Sequence, residues 1–227
     1  SLFAVILSAQ LLAPQPSRAS TACPVVAPKE EYARAEHGNL NALLTLADQT
    51  KAQLQTPGLS TACATELVYR YWKVYWKGQR AYDSAHSAMV ATDEVTPESK
   101  AFDRGLRKVG WHRESSEGGS FIWSDESWLL QKFSPHLPPD FREFFEQRSK
   151  QGRLTEDAAL QVTWDELRAR IVTWEKFLKQ YPAFPLSDLL KQDLEMYVGM
   201  WLGGTASTMI TEEEVLQSDL RKSYERF

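Results

Sequence analysis

The chain has little histidine, little cysteine and no basic run. Each shortage removes a class of function. Its four histidines are His37, His86, His112 and His136. No two stand four residues apart, so the helical pair that binds a catalytic zinc is absent. Formal net charge is −4, and Lys and Arg mix with Asp and Glu throughout. Nucleic acid, which needs a concentrated positive face, is therefore not an expected partner. No serine sits in a Gly-x-Ser-x-Gly elbow. Gly118-Gly119-Ser120 and Gly203-Gly204-Thr205 are too short for a phosphate loop and lack its lysine. No cofactor and no metal are expected, and the missing signatures favour a non-catalytic function.

The two cysteines are Cys23 and Cys63. Residues 1–22 read as a secretory leader. Leu2 to Leu7 and Leu11 to Ala13 are apolar, Pro14 and Pro16 break the run, and Ser17-Arg18-Ala19 offers small residues for cleavage. The apolar run is too short to span a bilayer, so no transmembrane span is expected. Export places the chain in an extracytoplasmic compartment, periplasmic or secreted, where an even cysteine count pairs. A Cys23–Cys63 disulfide is the expectation. The alternative is a lipid anchor on Cys23, after the small residues Ser20, Thr21 and Ala22. The two exclude each other, because acylation consumes the thiol.

What is plentiful is aromatic and helical. Hydrophobic residues make up 43% and charged residues 25%, values of a folded domain. Ser60 to Val90 holds six aromatic residues: Tyr69, Tyr71, Trp72, Tyr75, Trp76 and Tyr82. Apolar side chains recur there close to a 3.6-residue period. Tyr69 and Trp76 widen the stripe, which predicts a helix at the centre of a bundle. Gly78 inside it marks a close helix crossing or a kink.

Further stripes follow. One runs from Pro28 to Gln55, with Gly38-Asn39 as a candidate interruption. Thr96-Pro97 opens a helix to Val109. Others cover Asp125–Phe133 and Asp140–Lys150. Thr163 and Glu166 form a capping box, with the helix start open between Glu156 and Trp164 and Thr155 as an earlier cap. Leu186–Trp201 and Glu212–Phe227 complete the set, the last with Thr211 and Glu214 as a second capping box. Gly110 to Ser120 has no period and reads as irregular, with Phe121–Trp123 as the one candidate strand. The fold class is all-α: a bundle of seven or eight helices around one aromatic-rich helix. Residues 23–227 form one domain, with a candidate subdomain break near Gly152.

Two clusters mix Trp with Arg, the composition of binding hot spots. One is Trp72, Trp76 and Arg80 on the long helix. The other is Trp111, His112 and Arg113 in the irregular segment, where Glu114 and Glu117 lie near His112. His112 and Glu114 are the candidate catalytic pair. Glu66, Glu126, Glu143 and Glu175 join Glu114 as possible general acids, and nothing in their sequence neighbourhoods ranks them.

Three functions fit. The first is a non-catalytic exported protein whose partner is another protein. It would act as an inhibitor or immunity protein restraining a secreted toxin or a cell-wall-active enzyme. The second is a helical hydrolase acting on peptidoglycan or another glycan with a glutamate general acid, which a cleft holding perturbed carboxylates would favour. The third is a small-molecule carrier lined by the aromatics.

Overall fold

The computed structural model describes residues 23–226 except 93, 117, 118, 213 and 214. The leader expectation for residues 1–22 lies outside the described residues, as do Glu117, Glu214 and Phe227.

The chain begins with a helical pair, α1 (Lys29–Glu36) and α2 (Leu40–Leu54). Gly38 splits them. Its φ is +82°, and an added Cβ would meet the Tyr82 Cβ at 2.9 Å. Glycine alone takes that backbone at low cost. Asn39 then caps α2 by accepting from the Ala42 amide at 2.9 Å. The pair packs on α3 (Thr61–Ala85), the longest helix, capped by Ser60. Gly78 is the crossing point, because a Cβ there would overlap the Ala35 carbonyl of α1.

The chain continues through α4 (Ser87–Val90) and α5 (Pro97–Lys108). Thr96 caps α5 and Pro97 opens it, as the sequence predicts. The expectation of an irregular Gly110–Ser120 is corrected. Trp111–Ser116 is strand β1, pairing antiparallel with β2 (Gly119–Ser124). Cross-strand pairing with β2, not loop geometry, governs these residues.

Next come α6 (Glu126–Phe133) and α7 (Pro139–Lys150), which pack on each other. A short hairpin, β3 (Thr155–Glu156) with β4 (Ala159–Leu160), precedes α8 (Trp164–Gln180). Thr155 therefore pairs in a strand and caps no helix. Thr163 and Glu166 close the capping box that starts α8. Helix α9 (Ser187–Gly203) packs along α8.

The predicted terminal helix starts later than expected. Thr211–Glu212 is β5, paired with β6 (Val215–Leu216), and α10 is Ser218–Glu225. Thr211 is thus a strand residue. Helix α10 is held on α8 and α9 by side-chain bonds. The Ser223 hydroxyl accepts from the Trp201 indole at 3.1 Å and donates to the Trp164 carbonyl at 3.2 Å. The Tyr224 hydroxyl donates to the Trp201 carbonyl at 2.9 Å.

The fold is predominantly helical, with minor β structure. Among the described residues there are ten helices, not seven or eight. The count rises because Gly38 divides one stripe and His86 ends α3 before a separate turn of helix. Nor does one aromatic helix hold the centre alone. Tyr71 and Tyr75 of α3 contact Phe133, Trp111 and Trp128. A second cluster joins Phe141, Phe144 and Phe145 to Trp174, Phe177 and Phe184. These contacts cross the connector that contains Gly152.

The disulfide is present between Cys23 and Cys63, with Cα atoms 5.3 Å apart. It fastens the segment before α1 to the first turn of α3. A bonded Cys23 sulfur is not available for acylation. Among the described residues, no helix is long and apolar enough to cross a membrane.

Candidate functional site

The hairpin positions one side of a long cleft. Ile122 points into the core, so Phe121 and Trp123 on either side of it face outward. Cross-strand pairing sets Glu114 opposite Phe121 and His112 opposite Trp123 on that same outer face. Gln79 of α3 donates to the Ile122 carbonyl at 2.6 Å and fastens the hairpin to the long helix. Trp72 and Trp76, one helical turn apart on α3, stack at 6.0 Å beside it. The Arg80 guanidinium lies over Trp76 at 5.5 Å.

The cleft between these walls has a volume of about 440 Å³ and continues into a second lobe of about 400 Å³. Phe121, Trp123, Glu126, Arg148 and Asp193 line both lobes. Trp76 and Trp123 are 40% and 45% exposed, the Trp76 ring lying against Trp72 and the Arg80 guanidinium.

The polar floor comes from three helices. Glu126 opens α6, directly after β2. Arg148 lies on α7 and Asp193 on α9. Arg148 donates to the Asp193 carboxylate. Its guanidinium lies over Phe144 at 5.6 Å and over Trp174 at 5.5 Å, and these rings fix its direction. Burial pushes the Glu126 carboxyl above the usual carboxylate range, and neighbouring Asp125 adds to the rise. The positive charge of Arg148 and the nearby His112 oppose it. A first-turn position ordinarily favours an ionised carboxylate; here desolvation outweighs it.

The rim beyond β1 is a charged network. Arg153 lies over the Phe121 ring at 5.4 Å, pairs with Glu156 at 2.9 Å and approaches Glu114 at 3.7 Å. Glu114 also meets His112 Nε2 at 3.3 Å. His112 and Glu114 thus belong to the edge of the cleft, with Glu126 and Arg148 lining the same recess.

The other sequence candidates separate. Trp111 is 1% exposed, packed against Tyr75 and Tyr82 in the core. Arg113, on the inward side of the same strand, forms a two-pronged bond with Asp103 at 2.7 and 2.9 Å and donates to the Met89 and Thr92 carbonyls. The expected Trp111–His112–Arg113 surface cluster is therefore divided: a strand sends alternate side chains to opposite faces, and only His112 turns outward. Glu66 pairs with Arg70, and Glu143 accepts from the Tyr181 hydroxyl, both away from the cleft lining. Glu175 lies half-buried on α8. His86 stacks on Tyr82 at 3.9 Å. Among the described residues, no group of three or more His, Cys, Asp or Glu is placed to hold a metal ion.

Sequence reasoning missed Phe121, Trp123, Arg148, Arg153 and Asp193 as site residues. The alternation of Phe121 and Trp123 around Ile122 is the one local signal that could have found them. Arg148 and Asp193 are 45 residues apart and carry none.

No protein-family model matches the chain, and neither a curated protein nor a solved structure matches it.

Proposed function

We propose that this chain recognises a neutral glycan in the cleft between α3, the β1–β2 hairpin, α7 and α9. The observation that carries the reading is an aromatic-lined cleft, with Trp76 and Trp123 exposed at it, over an internally balanced polar floor. Trp123, the most exposed of the lining rings, offers an apolar surface to the C–H face of a sugar ring, and Trp72, Trp76 and Phe121 line the cleft beside it. Between them, Arg148 is matched by Asp193 and Arg153 by Glu114 and Glu156. Such a floor offers donors and acceptors without a strong net charge, which suits hydroxyl and acetamido groups better than an ionic ligand. The disulfide supports an oxidising compartment, where peptidoglycan and other wall or exported glycans are found.

Calorimetric titration with soluble chitohexaose, cellohexaose and solubilised peptidoglycan strands tests this. At least one should bind, and Trp76→Ala and Trp123→Ala should each weaken it about tenfold, roughly 1.4 kcal/mol. Absence of binding by all three, or unchanged affinity in both variants, would sink the reading.

A second reading is favoured by the placement of Arg80 over the exposed Trp76 at the open rim. Trp and Arg together are the common anchors of protein interfaces. The chain would then be an exported inhibitor or immunity protein, restraining a secreted toxin or a cell-wall-active enzyme. Affinity capture from the extracytoplasmic fraction should then recover one partner at near-equal stoichiometry, lost on Trp76→Ala and on Arg80→Ala.

A further inference from the structure

We infer that the cleft also cleaves the glycan it holds, with Glu126 as general acid and Asp193 as the base that activates water. The inference rests on the glycan-binding reading and adds an activity to it. It is carried by the convergence of two carboxyl groups with opposite surroundings on one cleft floor. Glu126 arrives from the start of α6 and Asp193 from α9, and both line both lobes of the cleft.

Their environments differ in the sense that acid–base chemistry requires. Asp193 is ion-paired with Arg148. Glu126 is half-buried beneath the aromatic wall, and burial favours its protonated form. Arg148 serves both. It lies over Phe144 and Trp174, is spent on Asp193, and leaves Glu126 without a full counter-ion. The aromatic platforms at Trp72, Trp76 and Trp123 would hold sugar rings on the rim of this floor.

The step balances with water as the only co-reactant. Glu126 gives its proton to the glycosidic oxygen as the bond from that oxygen to the anomeric carbon breaks. The water oxygen bonds to the anomeric carbon, and the water's proton passes to Asp193. One new reducing end and one new hydroxyl result. Asp193 then loses its proton to solvent and Glu126 regains one. No electron transfer is involved.

The charged groups around Glu126 are Asp125 on its own helix cap, His112 and Glu114 from β1, Arg148 from α7, Arg153 from the connector after it, Arg170 from α8 and Asp193 from α9, with Arg80 and Asp83 of α3 on the same lining. The rate should therefore fall at high pH as Glu126 ionises, and this limb should vanish in Glu126→Gln.

The experiment uses the full chain with its disulfide intact, incubated with chitohexaose, cellohexaose and solubilised peptidoglycan strands. New reducing ends are counted, and binding is measured on the same preparations. Glu126→Gln should retain binding within about threefold and lose reducing-end release by about a hundredfold or more. Asp193→Asn should lose a comparable factor. Binding without release by the wild-type chain overturns the inference and leaves the glycan-binding reading standing. Release that persists in Glu126→Gln overturns the assignment of the acid. No binding by any of the three overturns both. Should Glu126→Gln fail to fold, judged by circular dichroism, Glu126→Asp shortens the reach to the glycosidic oxygen. It should lose release by about tenfold or more with binding intact, and unchanged release would count against the inference.

Discussion

Gly78 on α3 lies against the carbonyl of Ala35 on α1, so closely that a Cβ would overlap the oxygen. The contact seats the first helical pair on the long helix and leaves no space for a methyl group. Neither partner can retreat cheaply, because both are fully buried backbone in packed helices. Gly78→Ala gains helix propensity of about 1 kcal/mol and loses more through displacement of α1. The expected net cost is about 1–3 kcal/mol, read as a lower midpoint in urea unfolding. A variant as stable as the parent would show that α1 is not held there.

Arg113 is assigned to structure by its partners, although the sequence suggests binding. It fastens β1 to α5 through Asp103, to α4 through the Met89 carbonyl and to the chain after α4 through the Thr92 carbonyl. Removing it leaves those acceptors without their donor. Arg113→Met should cost about 2–3 kcal/mol while ligand affinity stays unchanged. Asp103 gives a matching pH signature. Hydrogen bonding to Arg113 holds its carboxyl below the ordinary value of 3.8. Its stabilisation is present above that value and is lost as pH falls through the lower folded value. In Asp103→Asn this acid-limb loss should disappear from a plot of stability against pH.

Glu126 works in the opposite direction. Its folded value lies above the ordinary 4.5, so the folded state binds the proton more tightly than the unfolded chain. Stability from this group then falls as pH rises from about 4.5 through the folded value, and stays low above it. Glu126→Gln should raise the melting temperature at pH 7, with the gain shrinking toward zero below pH 4. Thermal scans at pH 4, 5.5 and 7 check the sign. A variant less stable than wild type at pH 7 would contradict a penalty for the ionised form.

The disulfide closes a loop across a sequence separation of 40. Cys23→Ser with Cys63→Ser should lose about 3–4 kcal/mol through the greater freedom of the unfolded chain. Thiol titration of the unfolded, unreduced parent should find none free at these two positions. Two free thiols would remove the bridge and its stabilisation together.

Much of the helical architecture was legible because it is written locally. The caps at Thr96, before Pro97, and at Thr163, with Glu166, satisfy backbone amides within one turn, so sequence spacing is enough to place them. The β1–β2 hairpin was less legible. His112, Arg113 and Glu114 are charged or polar, and no apolar alternation marks them. Their strand depends on pairing with Phe121–Trp123 and on a bidentate bond to Asp103 in another element. Thr211 misled because a capping spacing is short and recurs by chance, and here antiparallel pairing with nearby Leu216 decides its state. Trp72, Trp76 and Arg80 could be singled out as a Trp–Arg cluster. Arg148 and Asp193 could not, because their meeting depends on the packing of α7 near α9.

The hairpin register divides labour by column. His112 and Glu114 stand with Trp123 and Phe121 in one column; Trp111 and Arg113 belong to the other, with Ile122. Swapping residues within the outer column would rewrite the cleft's chemistry while leaving the core alone. Inserting a single residue into β1 would do the reverse. It would put the residues on one side of it out of register, turning Trp111 or Arg113 out to water and drawing His112 or Glu114 inward. This stretch is therefore tolerant of substitution and intolerant of changes in length, a frame-like constraint that variants drawn at random would reveal as an absence of insertions between Trp111 and Glu114.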